Sequence, residues 1–413
     1  MTKNILLENL GKPEILEEAY RRAPQEFEEH LKQALINNSD SEILRFWHAR
    51  LTYVPPTPPQ KISISLLVFF CIIATVIVKM PSFLPIDNDW FNQRFTAIVV
   101  MSTVILYFVK TASSTSKLVK LVLFGIVAST IYLAILPDSR GSDSVIMALV
   151  HMPMFALSLL GVSFMGDNWR SVESRLNFIR YLGEMGIYSA LILFGGIVLT
   201  ALTFGLFSLI DLNIEDWYLE NVVVSGLVSS PLIATYLFDS IQNRQSKFAS
   251  ILSNVFSPLF LITVLVYLVA TLYQGKSPFT DRDFLIIING LLVAILALTI
   301  FSISGKKRVS EATLSDYINV LLIAATLIVN IIALSAILFR SAEYGLTVNR
   351  VVVTGANVFI FVHLILLLRQ YIGLLTKAKS LDGLEETIAR YLPVYTTWSL
   401  IVAVCLPVVF WYQ

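Results

Sequence analysis

Residues 340–369 read RSAEYGLTVNRVVVTGANVFIFVHLILLLR, a short polar hinge followed by a long apolar segment. A helix of about 20 apolar residues crosses the hydrocarbon core of a bilayer, and residues 350–369 reach that length. Between Arg350 and Arg369, which bound this segment, the strongly polar side chains are Asn357 and His363. Similar apolar segments, separated by charged ones, recur along the 413 residues of the chain. The pattern predicts an all-α, polytopic integral membrane protein.

The amino-acid composition supports the same class. Hydrophobic residues make up 56% of the chain and charged residues only 14%, values that are typical of membrane proteins and exclude soluble classes. The net charge is +1, and no basic patch interleaved with aromatic residues occurs, so we predict contact with the lipid bilayer and no nucleic-acid partner. Cys71 and Cys405 both lie in apolar segments, so no structural disulfide is predicted.

The chain is predicted to fold as a small helical head over residues 1–54, a proline-rich linker over 55–61 and a transmembrane domain over 62–413. Eleven segments are predicted to cross the membrane, namely residues 62–79, 94–110, 117–136, 143–165, 183–210, 219–238, 253–273, 283–303, 316–339, 350–369 and 390–412.

The distribution of Lys and Arg predicts the orientation, because positive charge beside a span resists translocation. The head and every second loop are rich in these residues. The other loops and span ends carry only Lys79, Arg94, Arg140, Lys276, Arg282, Arg340 and Arg350. We therefore predict a cytoplasmic head and an external carboxyl terminus, an N-in/C-out topology.

Apolar residues in the head recur at helical spacing. One stripe contains Phe27 and Leu31, and another contains Ile43, Leu44 and Trp47. About 50 residues seldom bury enough apolar surface to be stable alone, so we expect the stripes to pack on each other and on the transmembrane domain. The alternative is that the head is a module that binds a cytoplasmic protein partner.

Polar side chains inside a membrane are costly, so they mark candidate sites. At a rise of about 1.5 Å per residue, five of them lie roughly 9 to 20 Å below the outer edge of their spans. They are His151, Asn289, Asn330, Asn357 and His363, and we predict that they form one polar layer. The competing interpretation is that they are hydrogen-bonding contacts between helices, a common use of Asn and His in membranes.

Motifs that would define a chemistry are absent from the sequence. It contains no HExxH, Walker A, GxSxG or paired Cys-x-x-Cys motif, and only four histidines, so no cofactor and no metal site are predicted. We expect a noncatalytic protein, either a small-solute transporter or permease, or a membrane sensor or scaffold. The alternative is an intramembrane enzyme such as an acyltransferase, which would use a buried pair formed by Asn330 and His363.

Small residues cluster on one face of the fifth predicted span. A face of this kind allows helices to approach closely, either within one chain or between copies in a homo-oligomer. The face consists of Gly186, Ala190, Ile197, Ala201 and Gly205.

The hinge before the tenth span carries a family resemblance. Tyr344-Gly345-Leu346-Thr347, followed after two residues by Arg350, resembles the signature of domain of unknown function family 4153, a family of bacterial inner-membrane proteins. The resemblance covers roughly residues 60–412 and implies a multi-pass protein of the bacterial cytoplasmic membrane, with no activity assigned. From the residues themselves, we expect Gly345 to permit a tight turn, Thr347 to cap the tenth span, and Arg350 to meet lipid headgroups or Glu343.

Overall fold

The computed structural model of the chain describes residues 5–38, 41–52, 63–111, 114–208, 212–241, 248–274, 282–306, 313–376 and 380–413. Within these ranges every regular element is a helix. The chain divides into two compact units, Met1–Pro58 and Pro59–Gln413. The predicted proline-rich linker, 55–61, lies outside the described residues.

The head contains four helices, α1 (Ile5–Glu8), α2 (Pro13–Arg22), α3 (Pro24–Asn37) and α4 (Glu42–Thr52). The two predicted stripes contact each other, since the Phe27 and Trp47 rings lie 4.8 Å apart between their centroids. Leu31 and Leu44 are buried in the same core. Ile43, which the stripe also included, is exposed instead.

An ion pair joins α2 to α4. Arg50 Nη1 donates to Glu17 Oε2 at 2.7 Å, and Arg21 Nε donates to Oε1 of the same carboxylate at 2.9 Å. The Arg50 guanidinium also lies over the Trp47 ring, 4.6 Å from its centroid. The hydrogen bonds from Arg50 and then Arg21 lower the pKa of Glu17 below its ordinary value of 4.5.

This lowered pKa predicts acid-sensitive packing of the head. A carboxyl whose pKa is depressed by folding stabilises the fold above its ordinary pKa, and the contribution is lost as the pH falls from about 4.5 towards the folded value. We expect hydrogen-exchange protection of α2 and α4, corrected for intrinsic rates, to fall over this window. Arg50→Gln should lower the protection already at neutral pH and weaken its pH dependence. Arg45→Gln, on the same helix and exposed, is the matched control, and equal behaviour of both variants would contradict the assignment.

The second unit contains ten helices that are long and apolar enough to cross a membrane within the described ranges. They are α6 (Asn88–Thr111), α7 (Ser116–Ile135), α8 (Asp143–Met165), α9 (Val172–Ser208), α10 (Glu215–Asp239), α11 (Phe248–Gln274), α12 (Arg282–Ser304), α13 (Leu314–Tyr344), α14 (Val348–Leu375) and α15 (Leu381–Val409). The predicted class, an all-α polytopic membrane protein that contacts the bilayer, is confirmed.

The remaining predicted span is a shorter helix, α5 (Ile64–Val78), which precedes α6 in the chain. Its 15 residues extend about 22 Å at 1.5 Å per residue. Lys79, just after its end, donates to Asn221 Oδ1 near the start of α10, and Cys71 contacts Ser229 further along α10. Helix α5 therefore runs antiparallel to α10 and in register with it. The N-in/C-out orientation stays a prediction.

Helix α9 differs from the predicted span over residues 183–210. It begins at Val172 and has 37 residues, about 55 Å of helix, because Leu176 and Ile179 in its polar first turns are buried in the core. All five members of its small-residue face are exposed, and a Cβ at Gly186 or Gly205 would meet no atom within 4 Å. Among the described residues, this face has no close internal partner.

Candidate functional site

The hinge between α13 and α14 positions the central helices as neighbours. Gly345 has a φ of +79°, a conformation that glycine adopts without the steric cost of a side chain. Thr347 is the N-cap of α14, and its side chain accepts a hydrogen bond from the Arg350 amide at 3.4 Å. The Arg350 guanidinium donates to the carbonyl oxygens of Tyr344 and Gly345, at 3.1 and 2.5 Å. Arg350 therefore stabilises the turn through hydrogen bonds to its main chain. The hydrogen bonds found for Arg350 do not include one to Glu343.

Three of the predicted site residues meet where α12, α13 and α14 pack together. Asn330 Nδ2 on α13 donates to the main-chain oxygen of Asn357 on α14 at 3.2 Å. Asn357 Nδ2 in turn donates to Asn289 Oδ1 on α12 at 2.9 Å. Asn330 and Asn357 are buried and Asn289 is partly buried. We call these three residues the amide cluster.

His363 lies in a separate arrangement with α15. Its Nδ1 is 2.8 Å from the hydroxyl oxygen of Tyr395, and its ring stacks on Tyr391 with centroids 4.2 Å apart and planes at 16°. Tyr391 Oη donates to the Phe359 carbonyl at 2.8 Å, which fixes the stacked ring. The His363 side chain is fully buried.

The five predicted site residues therefore do not share one hydrogen-bonded layer. His363 follows Asn357 by six residues, which is about 9 Å along α14 and about 240° around it, so the two side chains leave the helix in different directions. No hydrogen bond found in the described chain joins Asn330 to His363. His151 Nδ1 is 2.9 Å from the Met147 carbonyl of its own helix, α8, and is likewise apart from the amide cluster.

A further polar contact lies about three to four turns from the amide cluster along the same helices. Asn319 Nδ2 on α13 donates to Ser302 Oγ on α12 at 2.8 Å and to Tyr371 Oη on α14 at 3.1 Å. Beyond it, Lys306 and Asp316 form a 2.5 Å ion pair. We call the amide cluster, this Asn319 contact and the ion pair together the polar seam. Because α13 and α14 are antiparallel neighbours, the contact between Asn319 and Tyr371 could have been predicted from their register. It was missed because tyrosine was counted with the hydrophobic residues.

Three buried atoms of the polar residues just described have no hydrogen-bond partner within the described part of the chain. They are Asn330 Oδ1, Asn319 Oδ1 and His363 Nε2. A buried polar atom without a partner is costly, so these positions are where a water molecule or a polar solute would be stabilised.

Glu184, on α9, is a buried carboxylate that caps a neighbouring helix. Its Oε1 accepts from the main-chain amides of Phe248 and Ala249, at 2.6 and 3.0 Å. These are the first two residues of α11, so Glu184 supplies a negative charge and an acceptor where a helix exposes unsatisfied N–H groups.

Three cavities in the described part of the chain lie away from the amide cluster. One of about 300 Å³ is lined by apolar residues of α9, α11 and α12. Another, of about 760 Å³, lies among charged residues that include Arg180, Lys306 and Glu385. The third, of about 940 Å³, is in the head. None of the three is lined by a member of the amide cluster or by His363.

No protein-family model, curated protein or solved structure matches the chain. Within the described ranges, no group of three His, Cys, Asp or Glu side chains is arranged to hold a metal ion. The resemblance to family 4153 stays a prediction.

Proposed function

We propose that this chain is a noncatalytic membrane scaffold or sensor, in which the transmembrane domain is a fixed frame and the head is the surface that contacts a protein partner. The observation that supports this reading is the amide cluster. Its side chains bond to one another across three helices and lie apart from the cavities described above.

The energetics favour a packing role for these residues. An asparagine inside a bilayer is stabilised by a hydrogen bond to a neighbouring helix, worth about 0.6 to 2 kcal/mol. The amide cluster makes two such contacts across α12, α13 and α14. A bundle held in this way resists the helix separation that a solute pathway requires.

Transport of a small polar solute is the second candidate function. It is supported by the unpartnered Asn330 Oδ1, Asn319 Oδ1 and His363 Nε2, which could bind water or solute if α13 and α14 separated. The acyltransferase alternative has less support, because Asn330 and His363 bond to different partners.

The cellular setting is also part of the proposal. The family resemblance and the distribution of Lys and Arg together favour a bacterial inner membrane with the head in the cytoplasm. The exposed small-residue face of α9 favours a homo-oligomeric contact in that membrane, because closely approaching helices use such faces.

Thiol accessibility distinguishes a fixed transmembrane frame from a solute pathway through the bundle. In a Cys71→Ala/Cys405→Ala background, Asn330→Cys and His363→Cys should resist a charged methanethiosulfonate reagent applied from either side, because both positions are fully buried. Leu346→Cys, at the 73% exposed hinge position, is the positive control. Labelling of Asn330→Cys or His363→Cys at the control's rate would reject the fixed frame and favour the transport candidate.

A further inference from the structure

A groove on the head lies between α2 and α4 and has a volume of about 940 Å³. Its two walls differ in chemistry. The α2 wall carries Glu14, Glu17, Glu18 and Arg21, and the α4 wall carries Glu42, Ile43, Phe46, Trp47 and Arg50.

The groove is acidic. Four carboxylates and two guanidinium groups line it, which gives a net charge of −2. Both guanidinium groups bond to Glu17, as described above, so they do not neutralise the other acids. Glu14, Glu18 and Glu42 are exposed and form no ion pair within the described part of the chain. The groove thus presents three uncompensated carboxylates.

The groove also exposes apolar surface. Phe46 is 65% exposed and Ile43 is 36% exposed, whereas Leu44 and Trp47 of the same helix are buried in the core of the head. Trp47 lies beneath them, with its ring held by Tyr20, Phe27 and Arg50. An exposed aromatic side chain over a rigid aromatic base is the kind of surface that anchors a partner.

We propose that this groove binds a basic amphipathic helix of a partner protein. Such a helix would place apolar side chains spaced by three or four residues against Ile43 and Phe46, and Lys or Arg beside Glu14, Glu18 and Glu42. Helix α2 is about 15 Å long, which matches two to three turns of the partner. An anionic lipid surface or a nucleic acid would be repelled by the same carboxylates. The proposal rests on the head being the contact surface of the proposed scaffold.

A binding assay on the full-length protein tests the groove. The protein is placed in nanodiscs of zwitterionic lipid, and the probe is a fluorescent synthetic peptide of Leu and Lys at helical spacing. The fluorescence anisotropy of the peptide is compared with its value in the presence of empty nanodiscs, because such peptides also adsorb to lipid. Phe46→Ser and Glu18→Lys should each weaken binding by about tenfold or more, equivalent to about 1.4 kcal/mol. Added salt should weaken wild-type binding.

Matched controls lie elsewhere in the head. Ile36→Ser replaces an 81% exposed apolar residue outside the groove, and Glu29→Lys reverses an exposed charge outside it, so both should bind like the wild type. Equal binding by the wild type and both groove variants would overturn the proposal, as would equal binding of a Leu and Glu peptide. The thiol-accessibility test does not involve the groove. Failure here with unlabelled Asn330→Cys would therefore leave the fixed frame standing without this docking site.

Discussion

Replacing Gly355 by alanine is expected to destabilise the transmembrane domain by about 1 to 3 kcal/mol, the cost of overpacking a filled interface. A Cβ at this position would lie 2.2 Å from Trp398 Cζ2 and 2.3 Å from Cη2, far inside van der Waals contact. The indole cannot move away freely, because it packs on Phe359 with ring centroids 5.2 Å apart. Helices α14 and α15 would have to separate.

Gly290→Ala is the matched control for this prediction. Gly290 lies on α12, where an added Cβ would meet no atom within 4 Å. Alanine in a helix is favoured over glycine by roughly 0.5 to 1 kcal/mol, so this variant should melt at the wild-type temperature or slightly above it. Thermal unfolding of both purified variants in the same detergent makes the comparison. Indistinguishable melting temperatures would show that α14 and α15 are not in the close contact described.

Removing the Glu184 carboxylate is the second change with a large expected effect. Glu184→Ala deprives the Phe248 and Ala249 amides of their acceptor at the start of α11. Hydrogen bonds to a buried charge contribute about 1.5 to 3 kcal/mol, and the loss leaves donors unsatisfied at a helix end. We expect a lower melting temperature and faster hydrogen exchange in the first turn of α11.

Two further variants separate capping from a general effect of charge. Glu184→Gln keeps an oxygen acceptor but removes the charge, so its melting temperature should lie between those of the wild type and Glu184→Ala. Glu220→Ala removes an exposed glutamate and should change stability little. Wild-type stability of Glu184→Ala would contradict the cap.

Hydropathy predicted the spans well because membrane crossing imposes a single simple requirement, a long apolar helix. It missed the start of α9, where the helix continues through polar turns that bury Leu176 and Ile179. Hydropathy also did not predict irregular turns within the helices. In α15 a π-helical turn spans Ile401–Cys405, and the Ala403 carbonyl within it accepts a hydrogen bond from Tyr132 Oη at 2.7 Å.

The candidate site was only half predictable, for a geometric reason. Depth along a helix follows from residue number, so Asn330 and Asn357, on two antiparallel helices joined by a short hinge, could be placed together. Rotation about the helix decides which neighbour a side chain faces, and depth alone ignores it. His363 consequently faces Tyr391 and Tyr395 on α15, away from the amide cluster.

The sequence predicted the local conformation of the hinge better than the hydrogen bonds that the hinge makes. Gly345 and Thr347 act through their own backbone conformation and capping geometry, which depend on adjacent residues. Arg350 bonds to main-chain carbonyls, and every residue carries one, so residue types alone do not indicate which carbonyls it reaches.

The central claim is that the polar residues inside the bundle hold helices together, and a double-mutant cycle on Asn289 and Asn357 tests it most directly. These residues share the side-chain hydrogen bond of the amide cluster, at 2.9 Å. Unfolding free energies of Asn289→Ala, Asn357→Ala and the double variant give their coupling energy. A packing contact predicts a coupling of about 0.6 to 1.7 kcal/mol, the range for such bonds inside membranes. A coupling near zero would contradict the account, because it would mean that water or solute satisfies each side chain separately.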